Sequence, residues 1–389
     1  MTQHQLITHT LERLARLGVR EVCVAAGARN APLVAALADS RGVRLWNFFE
    51  ERSAAFFALG RILVDRRPVA VVTTSGTAAA ELLPAAIEAY YQGLPLILVT
   101  ADRPERFRGS GAPQAIEQEG LFGVYARPFD SADLSGPLHL NLCLDEPLTP
   151  APGVDFDTHS VSRSPSLKHH VSRITPDLVL AAGLHPADTA LVAPVLVKLG
   201  LPIVAEATAN LHLFRELHPL LVHGGEKALR QFQARKLLRV GAVPSWRFWR
   251  DLENRPEVEV VNFSRASFPG LARRENVSTW PLEAVLDLEG TDTPVPMPPM
   301  ISPDFAGFPL SEPTWMRHLQ KTLPSTARVF LGNSLPIREW NLAMLHSEKK
   351  GQFFANRGAN GIDGLISTFL GVAASHEDES WLILGDLSA

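Results

Sequence analysis

The sequence predicts an α/β fold: parallel sheets flanked by helices, in three consecutive units of which the third is incomplete. Three observations carry this. Over residues 1–150, short runs of branched apolar residues alternate with helix-length segments, as in strands joined by crossover helices. The alternation resumes near Leu178 and again near Ser311, after stretches rich in Ser, His and Pro. The last apolar run, Trp381 to Leu384, leads straight into Gly385-Asp386, and no helix follows before Ala389.

Leu6, Leu11, Leu14 and Leu17 keep near-helical spacing, and Gly18 ends that helix. Val22 to Ala25 reads as a strand, Gly27 to Asn30 as a turn, and Pro32 opens the next helix. Val43 to Phe49 is a strand and Glu51 to Leu63 a helix. Val69 to Thr73 is a strand, Thr74 to Thr77 a turn, Ala78 to Tyr90 a helix, and Leu94 to Thr100 a strand. Residues 150 to about 170 read as a linker, with His169-His170 as solvated residues within it. Strands of the second unit are predicted at Leu178 to Ala181, Pro202 to Ala205, Leu237 to Val240 and Val258 to Asn262. Prolines between Thr291 and Pro303 mark an extended connector. The domains implied are 1–150, 171–290 and 305–389.

The chain has 389 residues, 46% hydrophobic and 20% charged, with a formal net charge of −4. That is ordinary globular composition, and it gives no reason to expect nucleic acid or an anionic membrane as partner. The cysteines, Cys23 and Cys143, read as small buried hydrophobes in strand-like runs. With no disulfide framework or zinc spacing, a reducing cytosol is the expected setting. No signal peptide is expected at Met1-Thr2-Gln3-His4-Gln5, and no apolar run reaches the roughly 20 residues of a membrane span.

P-loop, dinucleotide, zincin and nucleophile-elbow signatures are absent. Glu50-Glu51 sits at a strand-to-helix junction, where a carboxylate favours the helix N-terminus. Capping is one reading. The other is functional, because Phe48, Phe49, Phe56 and Phe57 surround the pair and would raise a carboxyl pKa or demand a partner. Thr74-Ser75-Gly76-Thr77 follows a buried strand. It is either a capped tight turn or a close backbone approach to a ligand. Arg29, Arg103, Arg338 and Arg357 all fall at strand C-terminal ends, where α/β folds bind ligands. Guanidinium forks there suit carboxylates.

Taken together, these residues resemble the thiamine-diphosphate (ThDP) enzymes of the decarboxylase type. Among these they are most similar to the 2-succinyl-5-enolpyruvyl-6-hydroxy-3-cyclohexene-1-carboxylate (SEPHCHC) synthases of menaquinone biosynthesis. The resemblance rests on Gly27-Ala28-Arg29-Asn30-Ala31-Pro32-Leu33, Glu51-Arg52, Thr74-Ser75-Gly76-Thr77-Ala78, Thr100-Ala101-Asp102-Arg103-Pro104 and Gln114-Ala115-Ile116. It continues through Gly332-Asn333-Ser334-Leu335, Asn356-Arg357-Gly358-Ala359 with Gly361-Ile362-Asp363-Gly364, and Gly385-Asp386-Leu387-Ser388. Both ends of the chain match well, the middle weakly.

The resemblance implies a ThDP-enzyme fold with pyrimidine-binding, central and diphosphate-binding domains, in a cytoplasmic homodimer or homotetramer. The implied activity is that of a transferase joining 2-oxoglutarate to isochorismate with loss of carbon dioxide. ThDP supplies the electron sink. Glu51 would be catalytic, bonded to the aminopyrimidine ring. Thr74, Ser75, Gly76, Ile362, Gly385, Asp386, Leu387 and Ser388 would bind the cofactor, and Asp386 would ligate Mg²⁺ or Mn²⁺. Arg29, Arg103, Gln114, Arg247, Ser334, Arg338 and Arg357 would contact substrate. Departures from the family pattern are Ala28 for a serine, Pro113 for an asparagine, and Trp246-Arg247 for a Lys-Arg pair. The family also continues past Gly-Asp to an asparagine, its second metal ligand. The expectation is therefore a chain cut within its last domain that binds ThDP weakly or not at all. An acetolactate-synthase-like carboligase and a non-catalytic binding module are the alternatives.

Overall fold

The computed structural model describes residues 2–158, 175–290, 297, 301, 303–344 and 351–388. His169-His170 and most of the proline connector lie outside the described residues. The described chain forms three sheets, in which every strand pairing is parallel.

The first sheet is built from β1 (Glu21–Ala25), β2 (Arg44–Phe48), β3 (Val69–Thr73), β4 (Leu96–Asp102), β5 (Arg127–Pro128) and β6 (Leu138–Cys143). Its order is β2-β1-β3-β4-β6-β5. Both faces are covered, so the central strands β3 and β4 are buried at every position rather than at alternate ones. Val22, Val24, Ala70, Val72, Ile97 and Val99 pack on one side with α1 (Gln3–Arg16) and α2 (Ala31–Ala38). Cys23, Val69, Val71, Leu96 and Leu98 pack on the other with α3 (Glu51–Asp65). Cys23 is a buried hydrophobe as expected, and burial drives its thiol pKa well up.

Helix α1 starts on a capping box, in which Thr2 accepts the Gln5 N–H and Gln5 accepts the Thr2 N–H. The single helix expected over Ala78 to Tyr90 is instead two, α4 (Thr77–Ala80) and α5 (Leu83–Gln92). Pro84 sits at the start of α5. A proline offers no N–H to a preceding turn, so the helix restarts there.

The second sheet joins β7 (Leu178–Ala181), β8 (Ile203–Ala205), β9 (Lys236–Val240), β10 (Glu259–Ser264) and β11 (Val277–Pro281), in the order β11-β10-β9-β7-β8. Its helices are α6 (Pro186–Leu199), α7 (Gly225–Leu229) and α8 (Arg247–Asp251). The third sheet is small. It runs β13-β12-β14, from β12 (Arg328–Leu331), β13 (Gln352–Phe354) and β14 (Ser380–Ile383). Helices α9 (Glu312–Thr322), α10 (Leu335–Ala343) and α11 (Leu365–Ala373) accompany it in sequence.

By contact density the chain forms two compact units. One comprises the first sheet with its helices and Asp363–Ala374; the other contains the second and third sheets. Helix α11 therefore belongs with α3. The two cross backbone to backbone at glycines. A Cβ on Gly60 would stand 2.0 Å from the Thr368 carbonyl oxygen, and one on Gly371 would stand 2.2 Å from that of Phe57. No larger residue fits either place without separating the helices.

Candidate active site

In the first sheet, the loops after β1, β3 and β4 converge. Asn30 is wholly buried and closes the first loop, accepting the Gly27 N–H at 2.7 Å and donating to the Ala25 carbonyl at 2.9 Å. Gly27 lies against the next loop, since a Cβ there would come within 2.6 Å of Thr74 Cβ. Gly76 takes a left-handed φ of +79°, and a Cβ on it would meet Gln114 Oε1 at 2.2 Å. The structure thus brings the Arg29 loop, Thr74, Gly76 and Gln114 together, with Ser75 buried between the last two turn residues of that set.

Arg29 departs from the sequence reading in one respect. Its guanidinium is buried, donating to the Leu144 carbonyl at 3.1 Å and pairing with Glu146 at 3.5 Å. Arg103 donates through Nε to the Pro113 carbonyl at 2.9 Å and stacks over Phe107. It anchors the loop that carries Gln114.

The capping reading of Glu50-Glu51 resolves onto one residue. Glu50 is the N-cap of α3, accepting the Arg52 N–H at 3.0 Å and the Ser53 N–H at 2.6 Å. Burial acts to raise the Glu50 pKa, but these N–H bonds and Arg52 outweigh it and hold the group below its ordinary value. Glu51 has no such duty. It is half-buried on the first turn of α3, and no described residue bonds to its carboxylate. The defined protein partner that its apolar setting called for is therefore not among the described residues. Phe49, immediately before the pair, is fully exposed, while the Phe48 and Phe57 rings meet at a tilt of 58° with centroids 5.0 Å apart.

The other unit holds the remaining candidates. After β12, Asn333 is buried and donates to the carbonyls of Asn356 (2.8 Å) and Gly361 (2.7 Å). Its Oδ1 accepts Arg357 Nη1 at 2.9 Å. Asn333 thereby shapes the Asn356–Gly361 loop and aims Arg357, whose buried Nε has no hydrogen-bond partner among the described residues. Ser334 has φ +72° and ψ −124°, nearly the conformation of Gly76 at φ +79° and ψ −136°. The two strand-to-helix turns share one backbone shape, although at Ser334 it is strained for a residue with a side chain.

Arg338 on α10 and Arg247 on α8 line one cavity of about 420 Å³. Arg250, Ser245 and Asn341 line it too, and none of these was singled out from the sequence. Glu226 also borders it, but its carboxylate is occupied by the N–H groups of Arg247 (2.8 Å) and Phe248 (2.7 Å). The cavity wall therefore carries three guanidinium groups, Arg247 pairing loosely with Asp251 at 3.7 Å, which suits a carboxylate-bearing ligand. Ile362 and Leu387 are exposed. Gly385 lies two residues past the end of β14, and Asp386 to Ser388 form a short 3-10 turn in which Asp386 Oδ1 accepts the Leu387 N–H at 2.9 Å. Asp386 is exposed there, and the described residues hold no group of three or more potential metal ligands.

Sequence reasoning also missed a buried polar chain beneath the first set of loops. His139 bonds Thr100 Oγ1 at 2.8 Å and meets Phe122 edge-on. Burial pushes its pKa down to about 4 from 6.5. The unfolded chain then binds a proton more readily than the folded one between those values, so stability is full above pH 6.5 and falls towards pH 4. At 1.36 kcal/mol per unit the loss is about 3 kcal/mol. Denaturant titration of His139→Gln across that window should show a slope flattened by about this amount; an unchanged slope would contradict the assignment.

Residues 4–121 match the family described as thiamine pyrophosphate enzyme, N-terminal TPP binding domain. Among curated proteins, the chain is 41% identical to the SEPHCHC synthase of Akkermansia muciniphila, over 96% of this chain and 76% of that protein. It is 37% identical to the SEPHCHC synthase of Bdellovibrio bacteriovorus, over 100% of this chain and 81% of that one. For the synthase of Halorhodospira halophila the values are 33%, 97% and 77%.

Proposed function

This chain belongs to the SEPHCHC synthase family of ThDP-dependent enzymes, and from that premise we propose that it joins 2-oxoglutarate to isochorismate. One carbon–carbon bond breaks to release carbon dioxide, and one forms to the isochorismate ring. The observation that carries the reading is the Glu51 carboxylate, left without a partner because Glu50 caps the helix.

ThDP fits the residues present: a half-buried carboxylate that no described residue bonds, and a glycine turn at which Gln114 leaves no room for a side chain on Gly76. When bound, ThDP supplies the electron sink of the reaction. With ThDP bound, Glu51 would hold and exchange a proton at a ring nitrogen of the aminopyrimidine. Thr74, Ser75 and Gly76 provide close backbone approach. Arg357, aimed by Asn333 and with Nε free, binds a substrate carboxylate, as do Arg338 and Arg247 at their shared cavity. Ser334, Arg103 and Gln114 complete the substrate contacts, and Arg29 orders the first loop from below its surface. Ile362 offers an apolar contact. Asp386 would hold Mg²⁺ or Mn²⁺ through one carboxylate oxygen, the donor type such a hard cation takes; Gly385, Leu387 and Ser388 flank it.

We assign the three sheets to pyrimidine-binding, central and diphosphate-binding domains. A homodimer or homotetramer is the proposed assembly, because the wholly exposed Phe49 beside Glu51 is a surface that a second copy would cover. A cytoplasmic setting agrees with two free cysteines, and no described helix is long and apolar enough to cross a membrane.

The test is to supply the chain with ThDP, Mg²⁺, 2-oxoglutarate and isochorismate and to follow the adduct by mass spectrometry, with pyruvate as the competing donor. Product from 2-oxoglutarate supports the reading, and product from pyruvate alone would replace it with an acetolactate-type activity. In Arg357→Ala, KM should rise at least about tenfold, as for loss of a charged hydrogen bond worth about 1.5–3 kcal/mol. Unchanged kinetics would remove Arg357 from the site.

A further inference from the structure

We propose that Gln118 is a positioning residue that fixes the peptide orientation of the Thr74–Thr77 turn and ties it, through Asn141 and Asp102, to the backbone of Arg103. The inference rests on the proposed function for what the turn binds. Gln118 is fully buried, and both ends of its amide are used. Oε1 accepts the Gly76 N–H at 3.0 Å. Nε2 donates to the Ala101 carbonyl at 2.9 Å and to Asn141 Oδ1 at 2.7 Å. Asn141 Nδ2 donates to Asp102 Oδ2 at 2.8 Å, and Asp102 Oδ1 accepts the Arg103 N–H at 2.7 Å. An unbroken series of bonds therefore runs from the cofactor turn to the arginine loop.

The chemistry at Gln118 is specific. Its position needs an acceptor facing Gly76 and donors facing two oxygens, which a primary amide supplies through its carbonyl oxygen and two N–H groups and an ionised carboxylate does not. Because a peptide is planar, holding the Gly76 N–H also directs the Ser75 carbonyl the opposite way. Gln118 thus decides which face of the Ser75–Gly76 peptide the turn presents. Gln114 touches the same glycine from its side chain, so one short segment supplies a contact and a brace.

Three measurements on the whole chain test this. In Gln118→Met, amide hydrogen exchange at Gly76 and Arg103 should quicken at least tenfold beyond any general change, and the Kd for ThDP by calorimetry should rise at least tenfold. In Gln118→Glu, the ionised acid sets an acceptor against Ala101 and Asn141, whereas the neutral acid regains a donor. Its ThDP affinity should therefore recover as pH is lowered from 8 to 6, while the parent's stays level. A lowered melting midpoint with unchanged Kd, evenly raised exchange and no pH-dependent recovery would reduce Gln118 to a core residue and overturn the proposal. If Gln118→Met does not fold, the pH response of Gln118→Glu decides. If the unaltered chain itself shows no ThDP binding, the proposed function is what fails, and local exchange at Gly76 still decides the role of Gln118.

Discussion

Replacing Glu51 by Gln is expected to lower kcat by at least about 10²-fold, the range of a lost general acid–base group, while leaving the fold untouched. Gln is isosteric, and Glu51 makes no bond to any described residue, so stability should stay within about 0.5 kcal/mol of the parent. The neighbouring substitution supplies the control. Glu50→Ala removes the cap that holds the Arg52 and Ser53 N–H groups and should cost about 1 kcal/mol. Its turnover, measured on folded protein, should be near normal. The two adjacent carboxylates are thus predicted to separate, one into stability and the other into chemistry. Glu51→Gln with parental turnover, or Glu50→Ala as the inactive member, would refute the assignment.

That separation was only half legible in the sequence. Two glutamates at a strand-to-helix junction announce both a cap and a candidate acid, but which one caps depends on where the helix begins, and a helix boundary is uncertain by a residue or two. The buried strands were easier to read. Val69–Val72 and Leu96–Val99 are apolar throughout because both faces of their sheet are covered, and short runs rich in β-branched residues and bounded by turn signals suit strands. Short edge strands such as Arg127–Pro128 and Val277–Pro281 carry no such signature, because their pairing is decided by neighbours distant in sequence. The same holds for the site. Gln114 belongs to a recognisable string, whereas Gln118 gains its meaning only from partners at positions 76, 101 and 141. Arg29 reads as a guanidinium facing ligand at a strand end, yet the Leu144 carbonyl draws it inward.

The larger effect on stability is expected at Arg61, a residue that no motif marks. It is buried on α3, with Nε 2.9 Å from Glu21 Oε2 and Nη2 2.8 Å from Glu21 Oε1. Nη2 also meets Asp65 at 2.9 Å, and Nη1 donates to the Ala374 carbonyl at 2.7 Å and that of Gly371 at 3.3 Å. One guanidinium therefore neutralises the carboxylate at the start of β1 and fastens the end of α11. Arg61→Met keeps much of the volume but removes the guanidinium from Glu21 and leaves the Trp46 Nε1–H donating to its carboxylate. Losing one member of such a pair costs about 3–5 kcal/mol, a large share of the roughly 5–15 kcal/mol by which a domain is stable. The double variant Arg61→Met with Glu21→Gln should regain part of that loss, because no buried charge is then left alone. The pH dependence has a definite sign. Burial acts to raise the Glu21 pKa, but the bonds from Arg61 and Trp46 outweigh it and hold the pKa below 4.5. The stabilisation is thus complete above pH 4.5 and disappears as pH falls through the lower folded value. The parent and Arg61→Met should therefore differ most near neutrality and converge in acid. A gap under about 1 kcal/mol at pH 7, or one that widens on acidification, would show that Arg61 does not hold α11 and β1 together.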